Sequence, residues 1–338
     1  MRASSAILAD VGVRLWELEF PRSQALMQRT RVPYVDVDGL IAFSKRDRDG
    51  KVDAYLAAWL PDEVALIFFL GGDVVNAAML TPVGRFAVPI AQALHHIKAE
   101  AERSEIAFHQ APGEQLAAMY ASCTQAPEEP APDSSSMESV FCGLFERRWS
   151  GVLELISNGR VNYLHVREGR FAAGHFSDRR PDEAPGQYIA RLFTSVPPEP
   201  LPRISARPYA GLSEMPVQAP PAMVAMFRSF GWDLADLIEA DHPGDGAKRA
   251  ERIRQRLIPE LPLLQHFGGM RGVEGSDPLA EPSALADALS AWTRDLLSEL
   301  EIVDPGCAPR LLKEAAREHR FALGALGFFE RLPWRIQW

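Results

Sequence analysis

Two stretches of this 338-residue chain carry one pattern twice. They are Val64-Ala-Leu-Ile-Phe-Phe-Leu-Gly-Gly-Asp-Val-Val-Asn-Ala-Ala-Met-Leu80 and Val161-Asn-Tyr-Leu-His-Val-Arg-Glu-Gly-Arg-Phe-Ala-Ala-Gly-His-Phe-Ser177. Setting Gly72 on Gly169, an offset of 97, also sets Val64 on Val161, Ile67 on Leu164, Phe69 on Val166 and Val74 on Phe171. A repeat of this kind constrains architecture more tightly than any local propensity, because one supersecondary unit must serve both places. The expected chain is a tandem duplication. The polar positions diverge: Asp73 becomes Arg170, Asn76 becomes Ala173, and no His, Cys, Ser or acidic residue recurs in a catalytic pattern. An apolar frame kept while its polar positions drift points to a binding scaffold.

Runs of β-branched and aromatic residues between Gly, Pro, Asn and Asp turns mark the strands. In the first copy they predict strands over 34–44, 52–59, 64–70 and 74–80 in an antiparallel meander. A helix over 84–102 follows on the spacing of Phe86, Ile90, Leu94 and Ile97, then a strand over 105–109 and a helix over 114–123. In the second copy a helix over 137–149 precedes strands over 152–156, 161–166 and 171–176, a helix over 182–193 and a strand over 203–207. Asn158-Gly159 and Glu168-Gly169 join these strands, and Asn-Gly is a strong hairpin signal because both residues tolerate positive φ. Between the copies, Thr124 to Ser136 has no apolar residue larger than Ala or Pro and reads as a linker. In the tail, apolar residues at three-to-four spacing predict four helices: Met223 to Ile238, Ile253 to Leu264, Leu285 to Leu300 and Leu311 to Leu326. Asp304 and Pro305 suit the cap and first position of the last. The expected fold class is α+β, with two antiparallel-sheet-plus-helix repeats (1–123 and 138–210), a linker (124–137) and an all-helical C-terminal bundle (211–338).

Charge narrows the partners. A formal net charge of −9 argues against nucleic acid, whose binding by counterion release needs clustered cations. Only the second copy is net basic: 138–210 holds ten basic residues, all arginine, against eight acids. Arginine's planar fork suits carboxylates, so Arg147, Arg148, Arg167, Arg170, Arg179 and Arg180 read either as a solvated mixed surface or as a contact for an acidic protein. The longest strongly apolar run, Val64 to Leu70, falls far short of the roughly 18 residues of a spanning helix. The N-terminus lacks a secretory hydrophobic region, and three scattered cysteines suit reduced thiols. A cytoplasmic protein, peripheral to a membrane complex at most, is expected. The C-terminal run Gly327 to Trp338 is too apolar to lie in water; it packs on its own helices or docks into a partner through Trp334 and Trp338.

Motifs of catalysis do not occur: no phosphate-binding glycine loop, zinc-peptidase His pair, nucleophile elbow or Cys-x-x-Cys. His95 and His96 are adjacent on a helix and point to different faces, so they do not share an ion. Asp47 to Asp53 reads as a hairpin turn in place of a calcium loop. Asp241 to Lys248 reads as an interhelical loop, with ion binding at the next helix start as the sharper alternative. His165 reads as a half-buried strand residue. No catalytic residue, cofactor or metal is expected.

The order helix, Trp149-Ser-Gly-Val-Leu-Glu-Leu155, hairpin, Val161 to Gly174, then a helix ending Tyr188-Ile-Ala-Arg-Leu-Phe193, resembles the PATAN domain, named from a cyanobacterial patterning regulator. The resemblance covers about 140–210, and the first copy is similar to a diverged second member. It implies a non-catalytic domain that acts through protein contacts, beside response regulators or in motility, pilus and gliding control. The expected function is a scaffold or adaptor in a bacterial signalling or motility assembly. The alternative is an accessory subunit stably docked on the cytoplasmic face of a large motility, secretion or bioenergetic complex, photosynthetic ones included. A small-ligand sensor or enzyme using the cleft between the copies would need a pocket lined by His165, Arg170 and Tyr188.

Overall fold

The computed structural model describes residues 7–8, 12–44, 52–194, 204–244, 246–268 and 276–338. It is mixed α+β with antiparallel sheets. The chain divides into two compact units, Met1–Pro216 and Val217–Trp338. Both sheet-and-helix segments therefore fall in the first unit, where separate domains were expected, and the boundary to the helical tail lies at Pro216 instead of 210.

In the first unit β1 (Ile7–Leu8) pairs with β2 (Val13–Arg14), and β3 (Gln24–Arg31) leads to α1 (Val37–Ser44). Next, β4 (Ala54–Trp59), β5 (Val64–Leu70), β6 (Asp73–Thr81) and β7 (Gly84–Val88) form an antiparallel meander, followed by α2 (Ile90–Ala99), β8 (Glu105–Gln110) and α3 (Gly113–Thr124). The rest comprises α4 (Met137–Glu146), β9 (Gly151–Ser157), β10 (Arg160–Arg167), β11 (Arg170–His175), α5 (Pro185–Thr194) and β12 (Ser205–Tyr209). The two main sheets run β3-β8-β4-β5-β6-β7 and β11-β10-β9-β12. Within the first, β8-β4-β5-β6 stand in the order that β12-β9-β10-β11 take in the second. Their irregularities correspond too. β5 slips against β6 between Phe68 and Phe69, and β10 slips against β11 between His165 and Val166, 97 residues on.

Two expected elements differ. Residues 37–44 are helical because Asp36 caps them: its Oδ1 accepts the Gly39 N–H at 2.9 Å and its carbonyl accepts that of Leu40 at 2.9 Å. That cap outweighs the strand preference of the Val, Ile and Phe that follow. The helix expected over 84–102 starts only at Ile90, since Gly84–Val88 adds a strand to the sheet and Pro89, with no N–H to give, suits the turn into α2. Of the Asp47 to Asp53 turn, residues 47–51 lie outside the described residues, and the Asp53 carboxylate accepts the Gly71 N–H at 2.8 Å.

One core joins the two sheets. It gathers Tyr55, Trp59 and Phe68 from the first, Leu116, Met119 and Cys123 from α3, and Val152, Val161 and Tyr163 from the second. Residues 115–123 of α3 are all buried, as a helix covered on opposite faces must be. The outer faces carry their own helices: α1 and α2 pack against Leu56, Ile67 and Phe69, while α4 and α5 pack against Leu153, Leu155 and Leu164. At the seam Arg85 of β7 reaches Glu154 of β9, with Nη1 2.7 and 2.9 Å from the two carboxylate oxygens. Their side chains are 6% and 0% exposed. Burial pulls the guanidinium down, and the facing Glu154 more than offsets it, so Arg85 holds its proton well above the ordinary range. The expected linker is tied to the second sheet: Glu128 N–H donates to Pro208 O at 2.7 Å, and Gln125 and Gly211 exchange bonds of 3.1 and 3.2 Å.

His109 of β8 stands edge-on to Tyr55 with ring centroids 5.4 Å apart. Burial, then the nearby Arg22 charge, hold its pKa down at about 4. An unfolded histidine takes its proton near pH 6.5 and the folded one does not. The stability this contributes is present above that pH and is lost as pH falls towards 4. Urea unfolding at pH 7 and pH 5 is expected to show His109→Gln less acid-sensitive than wild type by about 1 kcal/mol, allowing for solvent screening. Equal pH slopes would refute the burial argument.

Among its described residues every regular element of the second unit is helical: α6 (Pro221–Asp241), α7 (Gly246–Leu257), a 3-10 segment at Pro262–Phe267, α8 (Pro282–Glu301), α9 (Cys307–Ala315), α10 (Arg320–Ala325) and a 3-10 turn at Phe329–Arg331. The last expected helix is thus two. It begins after Gly306, which takes φ of 87°, and not at Pro305. Glu301 accepts the N–H groups of Gly306 and Ala308 at 3.2 and 3.0 Å, doing the work expected of Asp304. In the 241–248 loop Glu239 accepts the Gly244 and Ala247 amides at 2.5 and 3.2 Å, so the chain supplies its own anion at that helix start.

Candidate functional site

The β10–β11 hairpin carries the sites. Its turn uses Glu168 and Gly169 at φ of 49° and 77°, the two positive values of a type I′ turn. The Glu168 N–H donates to Ser150 Oγ at 2.8 Å and that of Gly169 to Trp149 O at 2.7 Å. A Cβ at Gly169 would collide with the Phe145 backbone, so only glycine lets α4 approach this closely. Where α4 ends, Arg148 takes φ of 48°, a left-handed conformation usually left to glycine. The outcome is a cleft of about 710 Å³ lined by Phe145, Phe171 and Ala172, by Arg148, Arg167 and Arg170, and by the acids Glu146 and Glu168. Among the described residues none of these three arginines forms a salt bridge; Arg170 lies 5.7 Å from the Phe145 ring centroid. Phe145 and Phe171 are 52% and 37% exposed. Beside the cleft, β11 has β10 as its one strand neighbour among the described residues and exposes Arg170 to Ala173, whereas β6, which occupies the matching position in the other sheet, is covered by β7.

The other arginines expected to meet a partner are placed elsewhere. Arg147 donates to Gly143 O and Pro130 O, both at 3.1 Å, and so fastens the interrepeat segment. Arg179 donates to Glu183 O at 2.6 Å and lies 5.5 Å from the Phe176 ring, and the Arg180 N–H meets Glu183 at 3.5 Å. In the helical unit Trp334 packs partly buried against the core, and Trp338 is edge-on to Phe329 at 5.4 Å. His165, Arg170 and Tyr188 are not brought together in the outer cleft. Arg170 faces the outer cleft, while the Tyr188 hydroxyl sits 2.9 Å from Asn162 Oδ1 and 2.8 Å from Asp178 Oδ1 in the core under α5. A separate cavity of about 340 Å³ in the helical unit is lined mainly by Phe227, Trp232, Phe267 and Trp292. Its Arg228 and Arg254 are bound to Asp277 at 2.7 Å and Glu251 at 2.6 Å.

On the inner face of the same hairpin the structure gathers Glu114, His165 and His175, a set that spacing along the chain does not suggest. One ligand atom from each lies within 4.8 Å of the others. Tyr163 pairs with His175 and His165 with Ala173, so the histidines are diagonal neighbours on one face. Their ring centroids stand 5.4 Å apart at 86°. Both Nε2 atoms are buried with no hydrogen-bond partner among the described residues. Burial lowers the pKa of His165, and burial together with His165 lowers that of His175 to about 4, so both rings are neutral donors at ordinary pH. Glu114, exposed in the first turn of α3, supplies the carboxylate.

Comparison with protein-family models, curated proteins and solved structures finds no match. No helix among the described residues is long and apolar enough to cross a membrane.

Proposed function

We propose that this protein is a non-catalytic adaptor that binds an acidic, extended segment of a partner protein at the open edge of β11. The observation that carries the reading is the pairing of that edge with the arginine cleft. Strand addition supplies main-chain hydrogen bonds and leaves side-chain pockets to give specificity. Here Phe145 and Phe171 offer apolar contact, and Arg148, Arg167 and Arg170 offer forks for carboxylates. We further read the two sheets as copies of one PATAN-like unit, on their shared strand order and the bulges 97 residues apart, and the helical unit as a bundle. In that reading β7 closes in the first copy the edge that the second keeps open. The free thiols Cys123, Cys142 and Cys307 support a cytoplasmic setting, in a signalling or motility assembly.

A ten-residue peptide alternating Glu with Val, followed by fluorescence anisotropy, tests the site. Binding is expected to weaken with salt and to fall at least about tenfold in the triple variant Arg148→Glu, Arg167→Glu, Arg170→Glu. A central Pro in the peptide, which removes a ladder donor, is expected to weaken it as well. Affinity indifferent to both changes, or no binding at millimolar peptide, refutes the proposal.

A further inference from the structure

We infer that Glu114, His165 and His175 form a binding site for a divalent transition metal of the zinc class, which ties α3 to the β10–β11 hairpin. The site is independent of the docking edge, being built on the opposite, inward face of the strands.

The donor set is the first argument. Two imidazole nitrogens and one carboxylate oxygen suit zinc and its neighbours in the first transition row, and three protein ligands leave a position for water or for a partner's side chain. Magnesium and calcium favour all-oxygen shells, so they fit poorly. Geometry is the second. Tetrahedral zinc with bonds near 2.0–2.2 Å needs donors about 3.4 Å apart, so the atoms now within 4.8 Å must close by at most about 1.4 Å. Glu114 is exposed and free to swing, and the histidines stand on adjacent strands held by their ladder. The third is the pair of buried, unpartnered Nε2 atoms. A buried polar atom without a partner costs free energy, and a metal bond is one way of satisfying it.

The other sheet supplies an internal comparison. Counting back 97 residues, Phe68 stands where His165 stands and Ala78 where His175 stands, at equivalent register: Leu66 pairs with Ala78 as Tyr163 pairs with His175. Phe68 packs edge-on to Tyr120 of α3, 5.6 Å between centroids. The same two places that one sheet fills with an apolar pair against α3 are filled in the other by two imidazoles beside the carboxylate at the start of that helix. Hydrophobic packing is therefore an available solution at these positions, and the second sheet uses ligands in its place.

The comparison also dictates the test. The variant His165→Phe with His175→Ala installs the residues that the first sheet already carries, so it is expected to fold. Full-length protein stripped with EDTA and titrated with Co²⁺ is expected to develop visible d–d bands at one ion per chain, displaced by Zn²⁺, and Zn²⁺ is expected to raise the melting temperature. The double variant should lose binding by on the order of 100-fold or more and show no Zn²⁺ shift, while keeping its metal-free circular dichroism. Glu114→Gln should weaken binding at least about tenfold. Absence of bands and of heat with millimolar Co²⁺ or Zn²⁺ overturns the assignment. So does equal binding by the double variant, which would move the ion away from this hairpin, and so does equal binding by Glu114→Gln.

Discussion

Glu154→Gln is expected to cost the sheet-containing unit about 3 kcal/mol, as a lower midpoint in urea with an unchanged slope. The change keeps shape and most hydrogen-bonding capacity, so packing loss is small. What it removes is the negative charge facing Arg85, whose side chain is 6% exposed and cannot turn to water. A guanidinium left uncompensated in such a place carries its full desolvation penalty, which is why breaking a buried pair commonly costs 3–5 kcal/mol although the intact pair adds little net stability. Replacing both partners, Arg85→Met with Glu154→Leu, is therefore expected to recover most of the loss and to give a large favourable coupling in a double-mutant cycle. Because β7 and β9 belong to different sheets, the pair specifies how the sheets register across α3. A single variant costing under 1 kcal/mol would show that water reaches the seam.

Much of this architecture is legible in the residues. Val64–Leu70 is a strand at the expected bounds, Asn158-Gly159 takes φ of 50° and 79° as a hairpin turn should, and the tail is helical. The misses share a cause: local pattern was overruled by a specific partner. Asp36 turned a β-prone stretch into α1, and Gly84–Val88 became a strand because β6 offered it a ladder. β3 alternates exposed and partly buried residues along Gln24-Ala-Leu-Met-Gln-Arg-Thr-Arg31, with polar side chains common enough to hide an edge strand. Glu154 did leave a trace, one charge amid Val152-Leu153 and Leu155-Ile156, but its partner lies 69 residues away on the other sheet. The histidine pair was partly readable as well. Residues flanking a two-residue turn at 168–169 meet across the hairpin, which brings 165 near 175 once the bulge is allowed for. Glu114 was beyond that reasoning, since only the packing of α3 against β10 delivers it.

Phe328→Ala is expected to destabilise the helical unit by 3–5 kcal/mol, the range for deleting a buried aromatic ring. Phe328 is fully buried, edge-on to Phe230 at 5.2 Å and to Phe329 at 5.6 Å, with Phe227 at 6.1 Å. Its N–H donates to Leu323 O at 3.0 Å, which closes α10 and directs the following residues back over the core. Leu332, 8% exposed, belongs to that same core, Trp334 and Ile336 pack against it, and Lys313 Nζ donates to Gln337 O at 2.7 Å. The apolar end of the chain thus has an occupant for its own surface, whereas Trp338, 49% exposed, contributes mainly a ring contact with Phe329. Trp338→Ala is accordingly expected to cost under about 1 kcal/mol. Thermal unfolding with limited proteolysis after residue 326 separates the two variants: rapid tail cleavage should follow the loss of Phe328 and not that of Trp338. If both behaved alike and both were mild, the ring would not be anchoring the tail, and Trp334 and Trp338 would regain their standing as contacts for a partner.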